Sequence, residues 1–175
     1  MERFVSSARQ FKNVRSLTKA GMLLATQVLL GLIASIPVGP YIRISFGYLA
    51  LCLVGAALGP AMAAANGALA DVIGHFLKPL GSYIPGFTIT GLVSGMIYGF
   101  MLYKRDISVK RVLITKLVID LVCNLLLNTL WLNIWYGKAF FAILPSRMLK
   151  NLIQYPVDVL LAYTLLKSGI LRKLY

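Results

Sequence analysis

Along Leu144-Pro-Ser-Arg-Met-Leu-Lys-Asn-Leu-Ile-Gln-Tyr-Pro-Val-Asp158, the polar side chains Arg147, Asn151, Gln154 and Asp158 recur at steps of four, three and four. At 3.6 residues per turn these steps return to one helix face. A second stripe, Asp120, Asn124, Asn128 and Trp131, recurs at steps of four, four and three along the preceding apolar run. Carboxamides both donate and accept hydrogen bonds, carboxylates accept, and a guanidinium pairs with carboxylates through charge-assisted bonds. Two such stripes on lipid-soluble helices imply a polar ligand held between them.

The elements that carry the stripes are predicted to cross a membrane. Hydrophobic residues make up 59% of the chain, mean hydropathy is +0.80, and only five of 175 residues are acidic, which does not describe a soluble domain. About 20 apolar residues span a hydrocarbon core roughly 30 Å thick. Six runs of near that length read as spans, at about 18–37, 46–59, 61–77, 87–103, 113–134 and 147–169. The expected fold is therefore all-α, a single membrane domain over 1–175 containing a bundle of six transmembrane helices. Residues 1–16 form a basic amphipathic start, in which Phe4, Val5 and Phe11 among basic residues point to the inner membrane surface.

Charge placement gives the orientation, because Lys and Arg accumulate on the cytoplasmic side. Arg3, Arg9, Lys12, Arg15 and Lys19 precede the first run; Lys104, Arg105, Lys110, Arg111 and Lys116 are counted between the fourth and fifth; Lys167, Arg172 and Lys173 end the chain. With six spans these thirteen share one side, so both termini are expected to be cytoplasmic. Arg43, Lys78, Lys138, Arg147 and Lys150 fall at or near the outer ends. The topology bias accounts for most of the net charge of +13, and nucleic acid is not an expected partner.

Most catalytic chemistries fail on inventory. His75 is the sole histidine, so no multi-histidine metal site can form, and its expected role is packing at a helix end. No Gly-x-Ser-x-Gly elbow is present, and Gly137-Lys138 lacks the glycine spacing and the Ser/Thr of a phosphate-binding loop, so the chain is not expected to hydrolyse ATP alone. No cofactor or metal is expected. Cys52 and Cys123 fall inside spans, where a thiol packs as a small apolar group. The basic, polar start and the long apolar run after it do not read as a cleaved signal peptide.

Small residues mark where helices touch. Gly91, Gly95 and Gly99 form a flat strip on the fourth span, expected to pack within the bundle, whereas Gly21 and Ala25 on the first fit either internal packing or a partner protein. The segments 37–45, 78–86 and 133–146 are rich in Pro, Gly and aromatic residues, and read as ordered outer loops able to act as lids. Trp135, Tyr136, Phe140 and Phe141 fit such a lid and fit an interfacial aromatic belt equally well. An ionised carboxylate inside a bundle costs roughly 2.5–3.5 kcal/mol on insertion scales, so Asp71, Asp120 and Asp158 each need a partner or a proton. Interhelical hydrogen bonding is the favoured role for them over ligand contact.

The basic start, Gly21-x3-Ala25, the run Tyr83-Ile-Pro-Gly-Phe-Thr-Ile-Thr-Gly-Leu-Val-Ser-Gly-Met-Ile-Tyr-Gly99, and Asn128-Thr-Leu-Trp-Leu with Leu144-Pro-Ser-Arg-Met-Leu-Lys-Asn151 together resemble the substrate-binding S components of energy-coupling factor (ECF) vitamin transporters, most of all those specific for folate. The resemblance covers the chain from about residue 15. It implies a six-helix, multi-pass protein of a prokaryotic plasma membrane that captures a vitamin outside and delivers it by reorienting in the bilayer. It further implies as partners a transmembrane T component and two ATP-binding cassette ATPases, which supply the energy. In Gly21-x3-Ala25, which would be the T-component docking strip, glycine departs from the alanine of the family pattern.

Folate joins a pterin, with a donor and acceptor edge, to a flat aminobenzoate and a dianionic glutamate. On that reading Asn128, Arg147, Asn151 and Gln154 make polar contacts, Tyr83, Phe87, Trp131 and Trp135 enclose the rings, and Arg43 and Lys138 meet the glutamate carboxylates. The sequence leaves the direction of the ligand open. Two other functions stay in view: the same transport role for pantothenate, riboflavin or a pyridoxine-like vitamin, and a small integral-membrane enzyme or assembly factor.

Overall fold

The computed structural model describes residues 2–37, 43–78, 83–136 and 140–168, with backbone only for 2, 3, 5, 35–37, 43, 44, 136, 140–147, 149, 150 and 153. The architecture is helical: α1 (Glu2–Arg9), a 3-10 turn (Gln10–Lys12), α2 (Val14–Ile33), α3 (Tyr48–Leu58), α4 (Pro60–Leu77), α5 (Pro85–Leu102), α6 (Val109–Ile119), a π-helical segment (Asp120–Leu127), α7 (Asn128–Tyr136) and α8 (Phe140–Lys167). One departure from the all-α expectation is a short antiparallel ribbon, β1 (Ser35–Pro37) against β2 (Arg43–Ser45), with Ile36 opposite Ile44.

Local chemistry fixes several of these boundaries. Asn13 caps α2 by accepting the Arg15 backbone N–H at 3.0 Å, so the helix starts and ends four residues before the predicted run. Pro60 and Pro85 open α4 and α5, where their missing N–H is not needed. Gly59, at φ +85°, makes the tight α3–α4 turn in a conformation that suits glycine.

Among the described residues three helices are both long and apolar enough to cross a bilayer, Val14–Ile33, Pro85–Leu102 and the continuous Val109–Trp135; α3 is apolar but only 11 residues long. α3 is the centre of the fold, with every residue from Ala50 to Leu58 buried. The glycine strip of α5 does pack inside the bundle. A Cβ on Gly91, Gly95 or Gly99 would strike the backbone of Gly67, Ala63 or Pro60, so α4 and α5 meet backbone to backbone.

Two expectations change. The N-terminal segment does more than present an apolar face to a membrane surface. Ser7 is fully buried, donates to the Leu58 carbonyl at 2.7 Å, and accepts from the N–H groups of Ala61 and Met62 at 3.1 and 3.3 Å. It thereby caps α4 from a distant part of the chain. Gln10 Nε2 donates to the Tyr103 hydroxyl at 3.0 Å, and Phe4 stacks on Phe100, so α1 is clamped to the α5 end as well. The predicted outer loop 133–146 is largely helical, since α7 runs to Tyr136 and α8 begins at Phe140.

Candidate binding site

The polar stripe of the fifth predicted run falls on the π-helical segment and the start of α7. Here the Asn128 N–H bonds to the Cys123 carbonyl, five residues back, which widens the turn. Such segments are rare and concentrate at functional sites. Asn124 Nδ2 donates to Asp120 Oδ1 at 2.7 Å, and Asn128 Nδ2 donates to Asn124 Oδ1 at 3.4 Å. The stripe is thus a chain of hydrogen bonds running up one face.

Its foot is a buried ion cluster. Lys116 on α6 is 5% exposed and sits 2.8 Å from Asp158 on α8 and 3.5 Å from Asp120, while its ammonium lies 4.2 Å from the centre of the Tyr48 ring on α3. Tyr48 also donates its hydroxyl to the Asp158 carbonyl at 3.4 Å. Gln154 Nε2 reaches both Asp158 oxygens, at 3.3 and 3.2 Å. Two carboxylates share one ammonium and two amides, and α3, α6 with its π-helical continuation, and α8 are tied together. Lys116 therefore does not belong with the loop cations between the fourth and fifth runs. Buried between two acids, it is removed from the group that reports orientation.

Above this cluster a cavity of about 550 Å3 opens between α2, the ribbon, α3, α4 and α5. Gln27, Tyr48, Asp71, Tyr83, Phe87 and Asn124 are among its walls. Two smaller spaces share Tyr48 and Asn124 with it as wall residues. One, of about 250 Å3, includes Phe87, Thr90, Lys116 and Asn128; the other, of about 190 Å3, includes Ser45, Lys116, Asn151, Gln154 and Asp158. The third is lined wholly by polar residues and the aromatic Tyr48. On the opposite wall Tyr83, Thr88 and Asp71 form a second chain, with 2.6 Å between the two hydroxyls and 2.7 Å from Thr88 to the Asp71 carboxylate. His75 packs beside it, 5.2 Å from the Tyr83 ring, at the last turn of α4.

Five of the predicted ligand residues, Tyr83, Phe87, Asn128, Asn151 and Gln154, line these adjoining spaces. Trp131 and Trp135 are not among their walls. Trp131 lies against Gly86, where a Cβ would strike the indole, and donates to Thr90 Oγ1 at 3.2 Å, so it backs the cavity wall instead of facing the cavity. Trp135 is 53% exposed. Arg43 and Arg147 are placed by backbone alone, in β2 and α8, and Lys138 lies outside the described residues. Gly21 and Ala25 are exposed on α2, and nothing lies within 4 Å of where a Gly21 Cβ would stand.

Sequence reading missed Lys116 and Tyr48. For Lys116 the signal was present: it lies four residues before Asp120, one helical turn away on the same face. For Tyr48 nothing local marks it among the apolar residues of α3.

A cavity walled by amides, carboxylates and aromatic rings among apolar helices has the chemistry to hold a polar ligand inside a membrane protein. The chain belongs to the substrate-specific components of ECF transporters, whose family model matches residues 15–166. Its relatives include a folate transporter FolT from Clostridium novyi (strain NT), 40% identical over 124 residues, or 71% of this chain and 72% of that one. A second, from Leuconostoc mesenteroides subsp. mesenteroides, is 32% identical over 162 residues, 88% of each chain. Among solved structures, a crystal structure of FolT bound with folic acid superposes with a TM-score of 0.81 at 32% identity, covering 87% of this chain and 93% of that one.

Proposed function

We propose that this protein is the folate-binding S component of an ECF importer, and that the vitamin occupies the adjoining cavities over the Lys116 cluster. The observation that carries the reading is the likeness, over most of the chain, to folate transporters and to a FolT that holds folic acid. The cavity agrees with it in size, since ligand pockets run about 300–1,000 Å3, and in chemistry, since it joins aromatic faces to amides and carboxylates.

Charge sets the direction of entry in this reading. Asp71, Asp120 and Asp158 outnumber Lys116 at the inner walls, and a dianionic glutamate is repelled there. The pterin goes in first, against Asn128, Asn151 and Gln154, with Phe87, Tyr83 and Tyr48 at its faces. The glutamate stays at the mouth beside Lys78, and Arg43 and Lys138 remain the cations proposed for its carboxylates, with Arg147 among the polar contacts.

The chain crosses the plasma membrane six times with both ends in the cytoplasm, and it delivers folate by reorienting there. It carries no ATPase of its own; a T component and two ATP-binding cassette subunits provide the energy. The bare strip at Gly21 and Ala25 on α2 supports a docking role for that face. Epitope tags at the two ends report the topology: both are reached only after the membrane is opened, and an end labelled in intact cells contradicts it.

Calorimetry on the detergent-purified chain with folic acid, pantothenate and riboflavin in parallel tests the substrate. Tight one-to-one binding of folic acid alone is expected. Tight binding of another vitamin instead keeps the family and refutes the substrate.

A further inference from the structure

We infer that Lys116, Asp120 and Asp158 are positioning residues that commit the amides of Asn128 and Gln154 to accepting hydrogen bonds, so that the cavity selects the donor edge of the pterin. The inference rests on the folate reading above and adds to it the part of the ligand that is recognised and the residues that enforce it.

A carboxamide is nearly symmetric in shape, and its oxygen and nitrogen ends exchange by a half-turn. Only its partners decide which end faces a ligand. In this protein the partners of the nitrogen ends are carboxylates, directly or through one relay, and a carboxylate accepts only. Asp158 takes the Gln154 Nε2 group with both oxygens. Asp120 takes Asn124 Nδ2 at 2.7 Å, which turns Asn124 Oδ1 toward Asn128 Nδ2. Each chain therefore ends on an oxygen. Gln154 Oε1 and Asn128 Oδ1 are buried and have no hydrogen-bond partner among the described residues.

Asn128 and Gln154, which carry these acceptors, line two spaces that have Tyr48, Lys116 and Asn124 as common walls. Lys116 holds the arrangement, since its ammonium draws the two carboxylates together across α6 and α8. A pterin offers two neighbouring donors, its exocyclic amine and the adjacent ring N–H. Acceptors committed in this way favour those donors, and they penalise a ring that presents lone pairs or a methyl group there, because a buried acceptor left unmatched loses affinity.

The test compares folic acid with an analogue in which a methyl group replaces the exocyclic amine. Affinities for both are measured by calorimetry on the wild type and on Asp158→Asn, Asp158→Glu and Asn128→Leu, with melting curves for each. Wild type is expected to prefer folic acid by about tenfold to a hundredfold. Asp158→Asn frees the Gln154 amide to turn and brings that ratio toward one, whereas Asp158→Glu keeps it. Asn128→Leu weakens folic acid and leaves the analogue nearly unchanged, and it decides the matter if Asp158→Asn does not fold. Equal binding of the two ligands by wild type overturns the inference, as does an equal loss for both ligands in Asp158→Asn or Asn128→Leu. Failure of wild type to bind folic acid at all refutes the folate reading itself and takes this inference with it.

Discussion

An ammonium inside an apolar bundle persists only with counter-charge, and Lys116 has two carboxylates and an aromatic face around it. Removing one member of such a cluster costs more than the cluster contributes, because it strands the charges that remain. Lys116→Met leaves Asp120 and Asp158 facing each other, and a loss of about 3–5 kcal/mol is expected. Thermal unfolding in detergent reads it as a large fall in melting temperature, while an unchanged melt would mean that the carboxylates do not depend on the lysine. The acids were legible from the sequence as intramembrane groups in need of partners; Asp71 and Asp158 do bond between helices, to Thr88 and Lys116, whereas Asp120 finds its partners, Lys116 and Asn124, on its own continuous helix. The partner was not legible, because counting Lys116 with the loop cations concealed a one-turn spacing to Asp120 that a helix makes obvious.

At the scale of elements, glycine spacing told two different stories in similar letters. The α5 strip meets α4 backbone to backbone, and an added methyl at Gly95 would collide with the Ala63 carbonyl. Gly95→Ala is expected to destabilise the protein by about 1–3 kcal/mol through overpacking. Gly21→Ala meets open space and should leave the melting temperature unchanged or slightly raised. Equal effects of the two substitutions would contradict this assignment of faces. Helix periodicity made most of this layout readable, and proline and glycine marked the α3–α4 and α4–α5 joins. Three features escaped because they depend on distant or collective bonding: the widened turn at Asp120–Leu127, the capping of α4 by Ser7, and the continuation of helix through most of 133–146. In the last, Trp135 and Tyr136 end α7 while Phe140, Phe141 and Pro145 fall in α8, so aromatic and proline residues that looked like a loop are carried by helix.

For the whole molecule, large apolar side chains remain exposed around the bundle, with Ile33 at 81% and Phe76 at 79%, while polar groups gather inside. That inversion of a soluble protein fits a lipid-facing exterior enclosing a ligand space. The charge within the space is uneven, with acids at the inner walls and a cation at the mouth, as the proposed pterin-first entry of folate requires. Composition alone made the membrane setting readable, and the amide stripes identified the interior lining. The aromatic enclosure was only half readable, since Trp131 and Phe87 look alike in sequence and differ in which side of a wall they occupy. The most direct measurement is a structure of this protein with folic acid bound. The pterin is expected between Phe87 and the amides of Asn128 and Gln154, with the glutamate at the mouth beside Lys78. Folic acid seated with its glutamate against Asp120 and Asp158, or bound outside the adjoining cavities, would contradict it.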